Sequence, residues 1–153
     1  MSGEGIRNLK LFHYPATRSA RVKWILHEVV GEAFTTEPLD LYAGVQYSDE
    51  FMAKNPNHNV PVLDVEFDDG SHMTQLESAA MVAFLADAYP DKQLAPPPGP
   101  SRARGYGLCQ DEVFRAYLSR ISKRPAFRAA FADAASFNPQ PPKVPGGKVS
   151  FNG

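Results

Sequence analysis

Two hydroxyl side chains, Thr17 and Ser19, stand two residues apart in Tyr14-Pro15-Ala16-Thr17-Arg18-Ser19-Ala20-Arg21, where a helical apolar pattern begins. The free N–H groups and the dipole at a helix start favour an anion, and a hydroxyl within hydrogen-bond reach stabilises the charged form further. One of the two is also expected to be the helix N-cap. Tyr14 offers a third hydroxyl in this turn and Arg18 a positive charge. A second place of the same kind is Glu77-Ser78. Ser78 and its N–H open another helical segment and suit a carboxylate, while Glu77 suits an ammonium group. Plain helix capping is the alternative for this pair, and the two roles are compatible. The third stretch is Asn-Pro-Asn-His-Asn-Val-Pro-Val-Leu-Asp, residues 55–64. It sets Pro61 inside an apolar run that otherwise opens a strand. Proline has no N–H for a sheet ladder, so it belongs at an edge, a first position or a bulge. An ordinary trans proline opening an edge strand is one explanation, and a backbone device is the other.

Composition narrows the partners of these groups. The chain has 153 residues, of which 43% are hydrophobic, and a net charge of −1. That is globular composition, with neither a basic nucleic-acid surface nor an acidic tail. The start, Met1 to Tyr14, lacks a signal-like apolar run, and no stretch reaches membrane-spanning length, so a cytoplasmic location without membrane contact is expected. A single cysteine, Cys109, excludes an intramolecular disulfide framework and reads as a small buried hydrophobe. His13, His27 and His72 show no ligand-like spacing, so no metal site is expected. His58 reads as an exposed loop residue, and Trp24 as part of the core.

The elements that must position these residues follow from periodicity. Residues 8–14 read as a short strand. A helix follows, with Val22, Ile25, Leu26 and Val29 on one face and Gly31 as its stop. Residues 34–41 resemble a second strand, placed at an edge by Pro38. Ser48 is the expected cap of a short helix within 47–56, although Glu50 falls one place short of a full capping box. Residues 60–67 form a third strand, Asp68-Asp69-Gly70 a hairpin turn, and the segment from Ser71 a fourth strand. A helix over 77–90 carries Ala80, Met81, Phe84, Leu85 and Ala88 on its apolar face and stops at Pro90. The order β-α-β-α-β-β-α describes an α/β layer fold in residues 1–90, with a right-handed crossover in its βαβ unit. Residues 91–105, with Pro96–Pro98, Gly99 and Pro100, read as a linker. Residues 106–137 read as a short helical region. There Val113, Phe114, Tyr117, Leu118 and Ile121 form one stripe, Pro125 starts a second helix, and Phe127, Ala130 and Phe131 face inward. Residues 138–153 form a Pro/Gly-rich tail.

Three stretches together resemble the glutathione transferase family: the run from Leu11 to Glu28, Asn55–Asp64, and Leu76–Pro90. They fall in the family's order and spacing over nearly all of residues 9–90. The resemblance implies a thioredoxin-like domain, in agreement with the element order. It implies glutathione as co-substrate, a small-molecule electrophile as its partner in the reaction, and a homodimer. It also implies that the Val60–Pro61 peptide is cis, with Val60 offering its backbone to the cysteinyl part of glutathione. Glu77 and Ser78 would take the γ-glutamyl end. Asn59 stands where relatives carry a Lys or Gln for the glycyl carboxylate, with His58 as a further donor. The thiol partner would lie in the turn after the first strand. Aligned on Pro15, Arg18 stands where some bacterial relatives have Cys, and His13 where others have Tyr. This leaves Ser19 and Thr17 as the candidate catalytic hydroxyls, then Tyr14, with Arg18 as electrostatic help.

The chain departs from the family in its helical part. Family members carry a large all-helical domain that builds the pocket for the electrophile, whereas here a segment looks missing between about Gly107 and Cys109. The leading expectation is a glutathione transferase-like enzyme that activates the thiol for conjugation. The alternative is a shortened, catalytically weak glutathione-binding or interaction protein. A thiol-disulfide enzyme on the same fold is disfavoured, because the turn has no cysteine to attack a disulfide.

Overall fold

The computed structural model of the chain describes residues 5–95 and 119–134. Its elements are strand β1 (Ile6–His13), helix α1 (Ser19–Val30), strand β2 (Thr35–Pro38), helix α2 (Asp49–Lys54), strands β3 (Val62–Phe67) and β4 (His72–Gln75), and helices α3 (Ser78–Ala88) and α4 (Pro125–Phe131). The expected β-α-β-α-β-β-α order is present. The sheet runs β2-β1-β3-β4, with β1 and β2 parallel and the other two pairs antiparallel.

Strand alternation sorts the side chains into two layers. Leu9 and Leu11 of β1 face the same way as their partners Val65 and Leu63 of β3. On that face they meet Val22, Ile25, Leu26 and Val29 of α1 and Met81, Leu85 and Ala86 of α3 in one buried cluster. Phe12 and its partner Val62 point to the other face, against Leu39, Phe51 of α2 and Val60. The α1 face is the expected one. On α3, Met81 and Leu85 are fully buried while Ala80 is exposed, because the helix meets the sheet along a narrower stripe than the apolar pattern allows.

Local chemistry sets the boundaries. α1 ends at Gly31, whose φ of 64° is one that L side chains rarely adopt. β2 is shorter than the expected 34–41. Its ladder stops at Pro38, and beyond it Asp40 Oδ1 accepts the N–H groups of Tyr42 and Ala43 to make a turn. Ser48 caps α2 by accepting from Phe51 N at 3.3 Å. Gly70, with φ of 81°, turns β3 into β4.

Pro125 occupies the first turn of α4, where its missing N–H costs nothing. α4 lies on α1: Phe127 packs edge-on to Trp24 at 5.0 Å and stacks on Phe131 at 4.5 Å, and Ala130 is fully buried. Trp24 is thus partly buried under α4 rather than central to the core, and its Nε1–H donates to Glu28 at 3.0 Å. Cys109, the stripe from Val113 to Leu118, the tail from 138, the place of the apparent deletion and most of the linker lie outside the described residues. Among the described residues no helix is long and apolar enough to cross a membrane. Nor does any group of three or more His, Cys, Asp or Glu side chains there have the arrangement to hold a metal ion.

Leu26 is fully buried between α1 and the sheet. Leu26→Ala removes buried side-chain atoms and leaves a cavity, so urea unfolding is expected to register a loss of about 2–5 kcal/mol.

Candidate functional site

Three separated stretches meet in one polar cleft. Arg18, Asn59, Val60, Pro61, Glu77 and Ser78 line a cavity of about 80 Å³. Each is brought there by a distinct piece of the fold. Arg18 is the N-cap residue of α1, so the first turn of that helix borders the cleft. Val60 and Pro61 precede β3, whose ladder with β1 ends at the Phe12–Val62 pair, so Val60 lies past the paired stretch. The Val60–Pro61 peptide bond is cis.

The loop before it is built around Asn55, a residue that sequence reasoning passed over. Its side chain is almost wholly buried. Its Nδ2 donates to the carbonyl of Asn59 at 2.8 Å and to Asn59 Oδ1 at 3.0 Å, and its Oδ1 accepts from Asn57 N at 3.0 Å. The Asn55 N–H also closes α2 by donating to the Phe51 carbonyl at 2.8 Å. Next to it, Lys54 reaches Asp64 of β3 at 2.6 Å. Asn59 is therefore exposed at the rim but fixed from beneath. His58 is half-buried in this loop, with its ring 5.2 Å from that of Tyr47.

Glu77 and Ser78 open α3. Glu77 has φ of 67° and ψ of 111°, an uncommon backbone for a residue with a side chain, and makes no side-chain capping bond. Such conformations cost on the order of 1–3 kcal/mol and gather at functional sites. The exposed carboxylate is thus not spent on capping, and Ser78, 7% exposed, sits at the positive end of the helix. A carboxylate acceptor, a helix N-terminus and the Arg18 guanidinium around one cavity suit a ligand end carrying both an ammonium and a carboxylate group.

The two hydroxyls of the turn are placed differently. Ser19 is fully buried. Its Oγ lies 2.7 Å from His13 Nδ1 and 2.7 Å from Thr17 Oγ1, and it accepts from Tyr14 N at 3.2 Å. Of the two candidate hydroxyls left open by the sequence, Ser19 has no exposed surface. Thr17 is half-buried, and its Oγ1 also lies 2.7 Å from the Tyr14 carbonyl. Tyr14 packs edge-on to Tyr42 at 5.7 Å, and burial, with Tyr42 and Asp40 nearby, raises its phenol pKa above the ordinary range.

His13 is the residue whose role the sequence did not disclose. Alternation along β1 turns it to the same face as Leu9 and Leu11, beneath α1, where it is 4% exposed. Its Nε2 lies 2.8 Å from Oδ2 of Asp133, just past α4, and Lys23 of α1 donates to the same oxygen at 2.7 Å. Burial lowers the pKa of His13 below its ordinary value, and the opposing pull of Asp133 does not restore it. Burial pushes Asp133 up, but hydrogen bonds from Lys23 and His13 outweigh it and hold the carboxyl low. An Asp-His-Ser chain has the connectivity of an acyl-transfer triad, but a nucleophile must reach its substrate, and Ser19 is sealed.

The comparison with known sequences bears on the same region. The family model described as "Glutathione S-transferase, N-terminal domain" matches residues 7–87. The chain belongs to the glutathione S-transferase family. It is similar to the maleylacetoacetate isomerase of Rhizobium meliloti (strain 1021), at 36% identity over 84 residues, which are 55% of this chain and 37% of that protein. It is also similar to the glutathione S-transferase GstA of Escherichia coli O157:H7, at 37% identity over 90 residues, 58% of this chain and 42% of GstA. The chain thus spans about two-fifths of the length of these curated relatives. Among solved structures it resembles a glutathione transferase from Burkholderia graminis, with a TM-score of 0.54 and 28% identity over 63% of this chain and 39% of that one. That structure holds two glutathione molecules per subunit. The thioredoxin-like fold expected from the sequence is the fold of this glutathione S-transferase N-terminal domain.

The buried His13 is expected to make stability depend on pH in the acid range. Its native pKa lies below the 6.5 of an unfolded chain, so between the two values the unfolded state binds more protons and stability rises with pH. Stability is expected to fall as pH drops through 6.5 towards the native value, and to fall again below 3.8 as Asp133 is protonated. Urea midpoints measured across this range are expected to show both losses in the wild type. His13→Gln removes the upper one, and Asp133→Asn the lower.

Proposed function

We propose that the chain binds glutathione along the cleft and activates its thiol for conjugation to an electrophile. The observation that carries this reading is the convergence of Arg18, Asn59, Val60, Pro61, Glu77 and Ser78 on one polar cavity. Glutathione has two carboxylates, an ammonium group and a thiol, and the cavity supplies a counterpart for each charged end. Ser78 and the N-terminus of α3 take the γ-glutamyl carboxylate, and Glu77 takes the ammonium. The Val60 peptide edge, past the end of the sheet ladder, pairs with the cysteinyl peptide as a strand would. The Asn59 amide donates to the glycyl carboxylate. Arg18 offsets the negative charge of the ligand and, with the first turn of α1, favours the thiolate. Thr17, half-buried in that turn, is the hydroxyl assigned to the sulfur, and Ser19 supports it from behind.

The reading includes a small-molecule electrophile as second substrate and a second copy of the chain. Val45, Tyr47 and Met52 are large apolar side chains left at the surface and support association between copies. The alternative is a shortened, catalytically weak glutathione-binding or interaction protein.

Calorimetric titration with glutathione, followed by a conjugation assay with a chromogenic electrophile, separates the two. Wild-type protein is expected to bind and turn over. Ser78→Ala removes a hydrogen bond to a charged group and Glu77→Gln removes the charge opposite the ammonium, each about 1.5–3 kcal/mol, and so weakens binding about 10- to 100-fold. Binding without turnover would leave the alternative standing. No heat at millimolar glutathione would end both.

A further inference from the structure

The chain of groups behind the thiol-binding turn has an order that the binding reading does not use. It begins at half-buried Thr17, whose neighbour Arg18 lines the cleft, and passes to fully buried Ser19. From there it runs to His13 and ends at Asp133, with 2.7, 2.7 and 2.8 Å between successive atoms. We propose that His13, acting through the hydroxyls of Ser19 and Thr17, takes up the proton that the glutathione thiol releases on binding. The proposal rests on the glutathione reading above and adds the fate of the proton.

The donor directions support it. A carboxylate accepts only, so Asp133 fixes the neutral imidazole with its proton on Nε2 and its lone pair on Nδ1, facing Ser19. Ser19 then donates to His13 and Thr17 donates to Ser19, so every member of the chain points inward. In the transfer the thiol S–H bond breaks and its proton goes to Thr17 Oγ1. Thr17's own proton passes to Ser19 Oγ, and Ser19's passes to His13 Nδ1. Both hydroxyls end neutral, and the net change is thiol plus imidazole to thiolate plus imidazolium. All the bonds now point outward: His13 donates to Ser19, Ser19 to Thr17, and Thr17 to the thiolate. The Tyr14 carbonyl, 2.7 Å from Thr17 Oγ1 and 3.0 Å from Ser19 Oγ, competes for the same two protons, so the relay runs when both hydroxyls turn from that carbonyl to the chain.

The charged groups facing His13 come from two elements. Asp133, past α4, stabilises the imidazolium, while Lys23 of α1 opposes it and is itself bonded to Asp133. Burial favours the neutral imidazole at neutral pH, which is the state that can accept. At 4% exposure His13 has almost no contact with bulk water, and the hydroxyl chain gives it a route towards the cleft. His13 touches no ligand in this scheme and is a positioning residue with a proton to hold.

The test uses the full chain with glutathione and with S-methylglutathione, which has no thiol proton. Nitrogen NMR of His13 at neutral pH is expected to change from neutral imidazole to imidazolium on saturation with glutathione, and to stay neutral with S-methylglutathione. Ultraviolet titration of the bound thiolate is expected to show His13→Gln raising the thiol pKa by about one unit, a roughly ten-fold fall in its ionisation constant. Asp133→Asn is expected to act in the same direction. Affinity for S-methylglutathione is expected to change less than about two-fold in both variants, where a merely structural role would lower it in parallel. His13 remaining neutral while thiolate forms would overturn the relay and leave glutathione binding intact. So would an unchanged thiol pKa in Asp133→Asn, a variant that keeps the imidazole if His13→Gln does not fold. Failure of the wild type to bind either compound would overturn relay and binding together.

Discussion

The arrangement depends on β1 occupying an interior place in the sheet with a fixed side-chain alternation. It is paired on both sides, to β2 and to β3, so its register cannot slip without exposing a face of the core. Leu9 and Leu11 anchor the α1–α3 layer, Phe12 anchors the α2 layer, and His13 is carried under α1 because it follows in phase. A polar side chain so placed must find partners, since an unsatisfied buried group costs about 1–3 kcal/mol. Ser19 and Asp133 are those partners, and the turn from Tyr14 to Ser19 takes its shape around the first of them.

A second constraint acts on the opposite wall of the cleft. The segment between α2 and β3 contains few apolar side chains to hold it, and its order comes from Asn55, Lys54 and the strand that follows. Asn55 uses both ends of its amide on the loop itself, while the adjacent Lys54 ties α2 to β3. The wall that carries Asn59, Val60 and Pro61 is thereby fixed by polar contacts beneath the rim. The rim itself, with Asn59 and Glu77 exposed, stays open to solvent.

Much of this was legible in the residues. Every apolar position expected on α1 is buried, since helical spacing and packing agree there, and the hairpin at Asp68-Asp69-Gly70 follows from turn chemistry alone. The stretches around Val60 and Glu77, singled out through the family resemblance, line one cavity in the structure. What was not legible is long-range. His13 and Asp133 are 120 positions apart, and no local pattern joins them. Ser19 looked like a cap or a ligand contact because a helix start usually lies at the surface, but it is buried here on His13 of β1, Tyr14 and Thr17. Asn55 was passed over because an Asn before a proline reads as loop punctuation, whereas its worth lies in where the amide points.

The bond from His13 to Asp133 also sets an order in time. Residues from β1 through α3 leave the ribosome as one consecutive run and can assemble as they emerge. Asp133 follows His13 by 120 residues, a delay on the order of ten seconds at ordinary rates of synthesis. During that interval the sheet can exist while its imidazole waits for a counterpart that has not yet been made. Formation of the fold and completion of the turn are therefore separate events, and the last step belongs to the late-arriving end of the described chain.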